Sequence, residues 1–108
     1  MIYEYRHYSI VPGKQPAVHQ RFEESLVELF KKHNIDVVAF FQPVVGSILN
    51  DLHYIVRWDN VQQMHDTWNT FYTDPEFIEV AVASEANGPL VDKANTEIWV
   101  TTPYSPTL

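Results

Sequence analysis

Glu4, Arg6, His7 and Tyr8 crowd into one strand-like stretch, Ile2 to Val11. A strand alternates its side chains, so Ile2, Glu4, Arg6, Tyr8 and Ile10 share one face, and Tyr3, Tyr5, His7 and Ser9 the other. The apolar ends Ile2 and Ile10 make the first set the better partner for covering helices. That choice turns Glu4, Arg6 and Tyr8 toward a cleft between sheet and helices. Two positions apart on one face, Glu4 and Arg6 have Cα atoms about 7 Å apart, within reach for their head groups to pair. As a cleft floor, Arg6 would bind an anionic or enolate oxygen while Glu4 orients it. As a structural pair, the same two residues would only brace a dimer or a loop.

A second constellation lies on a helical pattern. Trp68 and Tyr72 stand four residues apart with His65 three before Trp68, so a ring wall, an imidazole and a phenol fall on one side. Such a wall can stack a flat substrate, with Tyr72 or Tyr54 donating a proton to it. The competing reading is that these aromatics are simply core. His7 and His53 sit on strands that would be neighbours, yet no His-x-x-x-His spacing or carboxylate triad accompanies them, and no metal centre is expected. His19 and His33 share a helix side but lie about 21 Å apart at helical rise, too far to share a ligand.

Six elements of regular structure and one short helix must position these groups. Pro12-Gly13 closes the first strand. Val18, Phe22, Leu26, Leu29, Phe30 and His33 then fall at helical spacing, with Pro16 in the first turn and Asn34 as a left-handed stop. Asp36 to Val44 and Leu52 to Trp58 read as strands that are apolar on most positions. Asn60 and Gln63 resemble a capping box for a second helix carrying Val61, Met64, His65, Trp68, Phe71 and Tyr72. Asp74-Pro75 opens a short helix to about Glu85, and Asn95 to Thr102 reads as the last strand. The order β-α-β-β-α-β is a ferredoxin-like α+β arrangement, a four-stranded antiparallel sheet with two main helices on one face. Strands apolar on both faces need cover on the open side as well, most simply from a second copy, so a homodimer paired through its sheet faces is expected.

Length and charge narrow the function classes. The 108 residues form one domain, 1–108, with room for one modest core. Seven basic residues against fourteen acidic give a net charge of −7, and no basic patch is present for a nucleic-acid backbone. Cysteine is absent, which removes disulfides and thiol nucleophiles. Three single glycines make no phosphate loop, and no nucleophile elbow is present. No cofactor is expected. No signal or transit segment and no membrane-spanning run is visible, so the expected setting is the cytoplasm, away from membranes.

Taken together, IYEYRHYSIVPGK at Ile2 to Lys14, LNDLHYIVRWDN at Leu49 to Asn60, DPEF at Asp74 to Phe77 and TTPYSP at Thr101 to Pro106 resemble the NIPSNAP family. The chain departs from the family's pattern at Tyr54 and Val56, where His and Trp are usual, and at Thr101, where proline is common. His53 stands one place early and therefore points to the opposite strand face. The resemblance implies a dimeric α/β barrel, in a superfamily that includes cofactor-independent monooxygenases, polyketide cyclases and isomerases. Their sites lie in the cleft between sheet and helices. On that basis a small apolar oxygenated ligand is expected, with Arg6 and Tyr54 catalytic and Glu4, Tyr8, His65, Trp68 and Tyr72 shaping the pocket. A haem would need a proximal histidine in the cleft, for which His65 is the candidate. The alternative is a non-catalytic dimeric binding or interaction module. A cleft void of roughly 300 Å³ with convergent polar groups favours the enzyme, and a cleft packed to interior density favours the module.

Overall fold

The computed structural model describes residues 1–108. Four strands form one antiparallel sheet in the order β2-β3-β1-β4: β1 (Ile2–Ile10), β2 (Asp36–Phe41), β3 (Leu52–Trp58) and β4 (Val91–Trp99). The central pair is β1 with β3, in the register Arg6 to Tyr54 and His7 to His53. One long helix follows β1 in three parts: α1 (Gln15–Arg21), a π-helical turn (Phe22–Leu26) and α2 (Val27–Lys32). Two more helices, α3 (Val61–Tyr72) and α4 (Pro75–Ser84), join β3 to β4. This is the ferredoxin-like α+β fold. No helix is long and apolar enough to cross a membrane.

The local signals act where the sequence places them. Asn34 takes the left-handed backbone (φ 56°) that ends α2. Asn60 caps α3 by accepting from the Gln63 N–H at 2.8 Å, while the Gln63 side chain reaches back to the Asp59 N–H at 2.6 Å. Asp74 caps α4 and also takes Lys32 at 2.8 Å and His33 at 2.7 Å, which ties the end of α2 to the start of α4. The core lies between the helices and one sheet face. Leu52, Tyr54, Val56 and Trp58 of β3 pack there on Phe22, Leu26, Phe30, Trp68 and Phe71.

Three expectations about the strands need correction. β2 stops at Phe41, short of Pro43, because proline cannot donate to the ladder. β4 begins four residues before Asn95 and stops at Trp99. Its side chains are almost all exposed, so its backbone pairing with β1 holds it, and no burial pattern announces it. The outward face of β3 is not apolar: it carries His53, Ile55 and Arg57, beside Tyr5 and His7 of β1. The Ile55 side chain alone does not make that face a buried one.

Candidate functional site

The site grows from the helix-facing side of β1. Glu4 and Arg6 are both buried there, 2 % and 8 % exposed, and their head groups meet at 3.1 Å. A buried carboxylate is costly unless every oxygen is occupied. Glu4 meets that need with three donors: Arg6 Nη1 on one oxygen, and the indole N–H groups of Trp58 (3.0 Å) and Trp68 (2.8 Å) on the other. Arg6 in turn donates from Nε to Tyr54 at 2.8 Å, and from Nη2 to Tyr8 at 3.0 Å and Tyr72 at 2.8 Å. Its guanidinium carbon lies 4.2 Å from the Trp68 ring centre, a cation–π contact that covers one face of the group. The charge is thus fixed in position by β1, β3 and α3 together.

Proton positions follow by elimination. Tyr54 is fully buried, and its hydroxyl touches only Arg6 Nε, which donates, and Tyr8, 2.8 Å away. Tyr54 must therefore give its proton to the Tyr8 oxygen. That leaves the Tyr8 O–H uncommitted. The Tyr72 oxygen accepts from Arg6 and its O–H has no protein acceptor either. Two free phenolic donors thus radiate from one nitrogen, Arg6 Nη2, and a cation feeding hydrogen bonds into both strengthens them as donors.

Electrostatics keep Tyr54 and Tyr72 protonated. Burial pushes Tyr54 well above the usual tyrosine range, with Tyr8 adding to the rise and Arg6 opposing it. Burial likewise raises Tyr72, against the pull of Arg6. For Arg6 burial works downward, but the oxygens of Tyr54, Tyr8 and Tyr72 outweigh it and hold the guanidinium above its ordinary range. At neutral pH Arg6 is a cation paired with Glu4 and flanked by the neutral phenols of Tyr54 and Tyr72.

Beside it lies a cavity of about 310 Å³, lined by Arg6, Tyr8 and Tyr72 and by the apolar groups of Phe30, Trp68, Phe71 and Phe77 among others. The cleft is therefore not packed shut. The π turn shapes its far wall. Val27 N–H bonds to Phe22 O, five residues back, which brings Arg21 over Leu26 and lets Arg21, Leu26 and Phe30 all line the cavity. In an α-helix, residues five apart would point about 140° away from each other.

The candidate residues thus separate into three groups. Arg6, Tyr8, Trp68 and Tyr72 line the cavity. Glu4 and Tyr54 stand behind Arg6 and do not line it, so they position the cation and cannot touch a ligand. His65 is outside altogether: it is exposed and bonds Asn69 at 3.1 Å. At about 100° per residue it sits about 60° round α3 from Trp68, on the side away from Phe71 and Met64. No histidine lines this cavity, so the proximal ligand a haem would need is missing and the site does not fit one. Trp58 and Arg21 were not expected. Alternation along β3 places Trp58 on the Tyr54 face and could have revealed it, whereas nothing in the spacing announces Arg21.

On the opposite sheet face, His7 and His53 stack with ring centres 4.4 Å apart. His7 Nε2 meets Asp51 at 2.7 Å, and His53 Nδ1 meets the Tyr5 hydroxyl at 2.6 Å. They pair in register but with each other's neighbours, and no group of three ligands able to hold a metal forms.

The sequence matches the NIPSNAP family over residues 3–106. No curated protein matches it. Among solved structures, the fold is similar to an uncharacterized NIPSNAP-like domain protein from Burkholderia xenovorans, with 20% identity, a TM-score of 0.86, and coverage of 99% of this chain and 90% of that one. It is similar to a NIPSNAP family protein with unknown function from Agrobacterium tumefaciens, with 22% identity, a TM-score of 0.86, and coverage of 100% and 94%. It is also similar to an antibiotic biosynthesis monooxygenase, with 14% identity, a TM-score of 0.61, and coverage of 95% and 100%. At these identities the structural matches establish a shared fold.

Proposed function

This chain belongs to the NIPSNAP family, and from that premise we propose that it is a cofactor-independent enzyme acting in its helix–sheet cleft on a small, largely apolar substrate that carries a carbonyl, enol or phenol oxygen. The observation that carries this reading is the cavity of about 310 Å³ lined by Tyr8 and Tyr72, whose oxygens accept from Arg6 and whose O–H groups have no protein acceptor. A packed structural ion pair would leave neither room nor donors. Here the pair Glu4–Arg6 is saturated on its buried side and open on its cavity side.

The arrangement suits an oxygen on which negative charge builds. When the substrate gives a proton to a water molecule in the cleft, its oxyanion would accept from Tyr8 and Tyr72, whose own oxygens are held by Arg6 Nη2. Return of the proton to another atom would complete an isomerisation, and addition of the same anion through carbon to dioxygen, with uptake of the proton, would give a hydroperoxide that loses water to leave a carbonyl. Trp68, Phe71 and Phe77 supply the apolar, ring-stacking surface. The partner we propose is a second copy of this chain, set against the sheet face that carries Tyr5, His7 and His53 and the edge strand β4. Trp99 on that face is 42 % exposed, and Ile98 on the other side of β4 is 42 % exposed too, more apolar surface than an edge strand comfortably leaves in water.

Calorimetric titration with 2-naphthol and acetophenone tests the site. Saturable binding weakened roughly tenfold by Tyr72→Phe is the expected result, matching the loss of one charge-assisted hydrogen bond. Oxygen uptake in cofactor-free buffer then separates oxygenation from proton transfer. If neither probe binds saturably, the non-catalytic interaction module is the better reading.

A further inference from the structure

We infer that the ligand of this cleft carries a second, anionic oxygen group, a carboxylate, seated on Arg21, so that the substrate class is a short oxo or hydroxy acid. Its carbonyl or hydroxyl oxygen would meet Tyr8 and Tyr72, its apolar body would lie along Trp68 and Phe30, and its carboxylate would reach the π turn. The inference rests on the cleft being a ligand site.

Arg21 carries the argument. Its side chain is 10% exposed, it lines the cavity, and its Nε is buried with no hydrogen-bond partner. An unpaired donor on a buried cation is costly and calls for an acceptor. What Arg21 does have is loosely held: Nη1 stands 3.4 Å from Ser84 Oγ and 3.7 Å from the Glu85 carboxylate, which is itself 42% exposed. Arg6 has a buried carboxylate at 3.1 Å and acceptors for four of its five N–H groups, whereas Arg21 has a single hydrogen bond of 3.4 Å. Glu24, Glu76 and Glu79 line the outer groove on the other side of Arg21, and none of them bonds it. One cavity thus has a neutralised cation with free hydroxyl donors at one wall, and at another a cation whose only carboxylate partner, Glu85, stands 3.7 Å away and lines the same cavity. A molecule with an uncharged acceptor at one end and a carboxylate at the other satisfies both.

The test compares methyl ketones of seven to nine carbons with the same chains ending in a carboxylate, by calorimetry on the full-length protein. At one or more chain lengths the acid should bind on the order of tenfold tighter than the ketone, the scale of one charge-assisted hydrogen bond. Arg21→Met should erase that advantage while leaving the ketone unchanged. Glu85→Gln, at an exposed position that does not threaten folding, should tighten the acids alone by freeing Arg21. Equal binding of acid and ketone at every length, or an advantage that survives Arg21→Met, overturns the carboxylate anchor while the ketone data keep the cleft as a site. Absence of saturable binding in both series overturns the anchor and the cleft together.

Discussion

The two faces of β1 carry the same kinds of residues and use them differently. On the helix side, Glu4, Arg6 and Tyr8 join Tyr54, Trp58, Trp68 and Tyr72 in a buried network where a charge is answered on every protein side. On the outer side, Tyr5, His7, His53 and Trp99 form a row of rings, half in water, with Tyr5 stacked 4.7 Å from Trp99 and His7 backed by Asp51. The inner row cannot change its charge without unmaking the fold, because low dielectric makes each unpaired charge expensive. The outer row tolerates such a change, because water shares the cost. Permanence belongs to the face with the cavity, and adjustability to the face that a partner would cover.

Substitutions can break that contrast at either face. The largest effect should come from Arg6→Met, which leaves the Glu4 carboxylate buried without its cation and should cost about 3–5 kcal/mol in urea denaturation. Glu4→Leu should cost as much, and the double variant should lose clearly less than the two separate losses combined, since the two residues act as a unit. Additive losses would mean the pair is not coupled. Trp68→Phe keeps a ring against the guanidinium and removes one N–H from Glu4, for an expected loss of about 1.5–3 kcal/mol. At the outer face, Trp99→Ala should weaken self-association roughly tenfold in sedimentation equilibrium and barely move the denaturation midpoint. A monomer in both proteins would remove the proposed partner.

The smallest effect is a pH dependence from His53. Burial, then the nearby His7, lower its pKa below the usual 6.5, against a weaker opposing pull from Asp51. The unfolded chain therefore takes up this proton first as pH falls through about 6.5, and the fold loses stability from there downward until the folded histidine is also protonated. Stability curves at pH 5 and pH 7.5 should differ less in His53→Gln than in the unmodified protein. An unchanged difference would assign the dependence elsewhere.

The alternation of β1 was readable because its period is two and its ends are apolar, and it places Glu4, Arg6 and Tyr8 on one face before any helix is built. The α3 stripe was readable for the same kind of reason, except at its margin, where His65 lies just off the arc that Trp68 and Phe71 define. The start of β4 escaped because Asp92 and Lys93 carry no burial signal, and only pairing with β1 makes them part of the strand. Tyr54 shows a different limit. Its face can be predicted, but whether a buried phenol touches a ligand or stands behind another residue depends on three-dimensional packing. The empty volume of the cleft depends on packing too, since it is fixed by what the side chains fail to fill.

The π turn at Phe22–Leu26 makes the first helix a counting device. A turn closed five residues back holds one residue more than one closed four back, so removing a single residue from it, Glu23 or Glu24 on the exposed side, would return the helix to α geometry without breaking it. Arg21 would then stand four residues before Leu26, about 40° from it on an α-helix, where five residues would put it about 140° away. It would keep its place on the cavity wall. One codon's length can therefore be taken out of this helix without exchanging the group that meets a ligand, while α geometry imposed with every residue kept would turn Arg21 away from it.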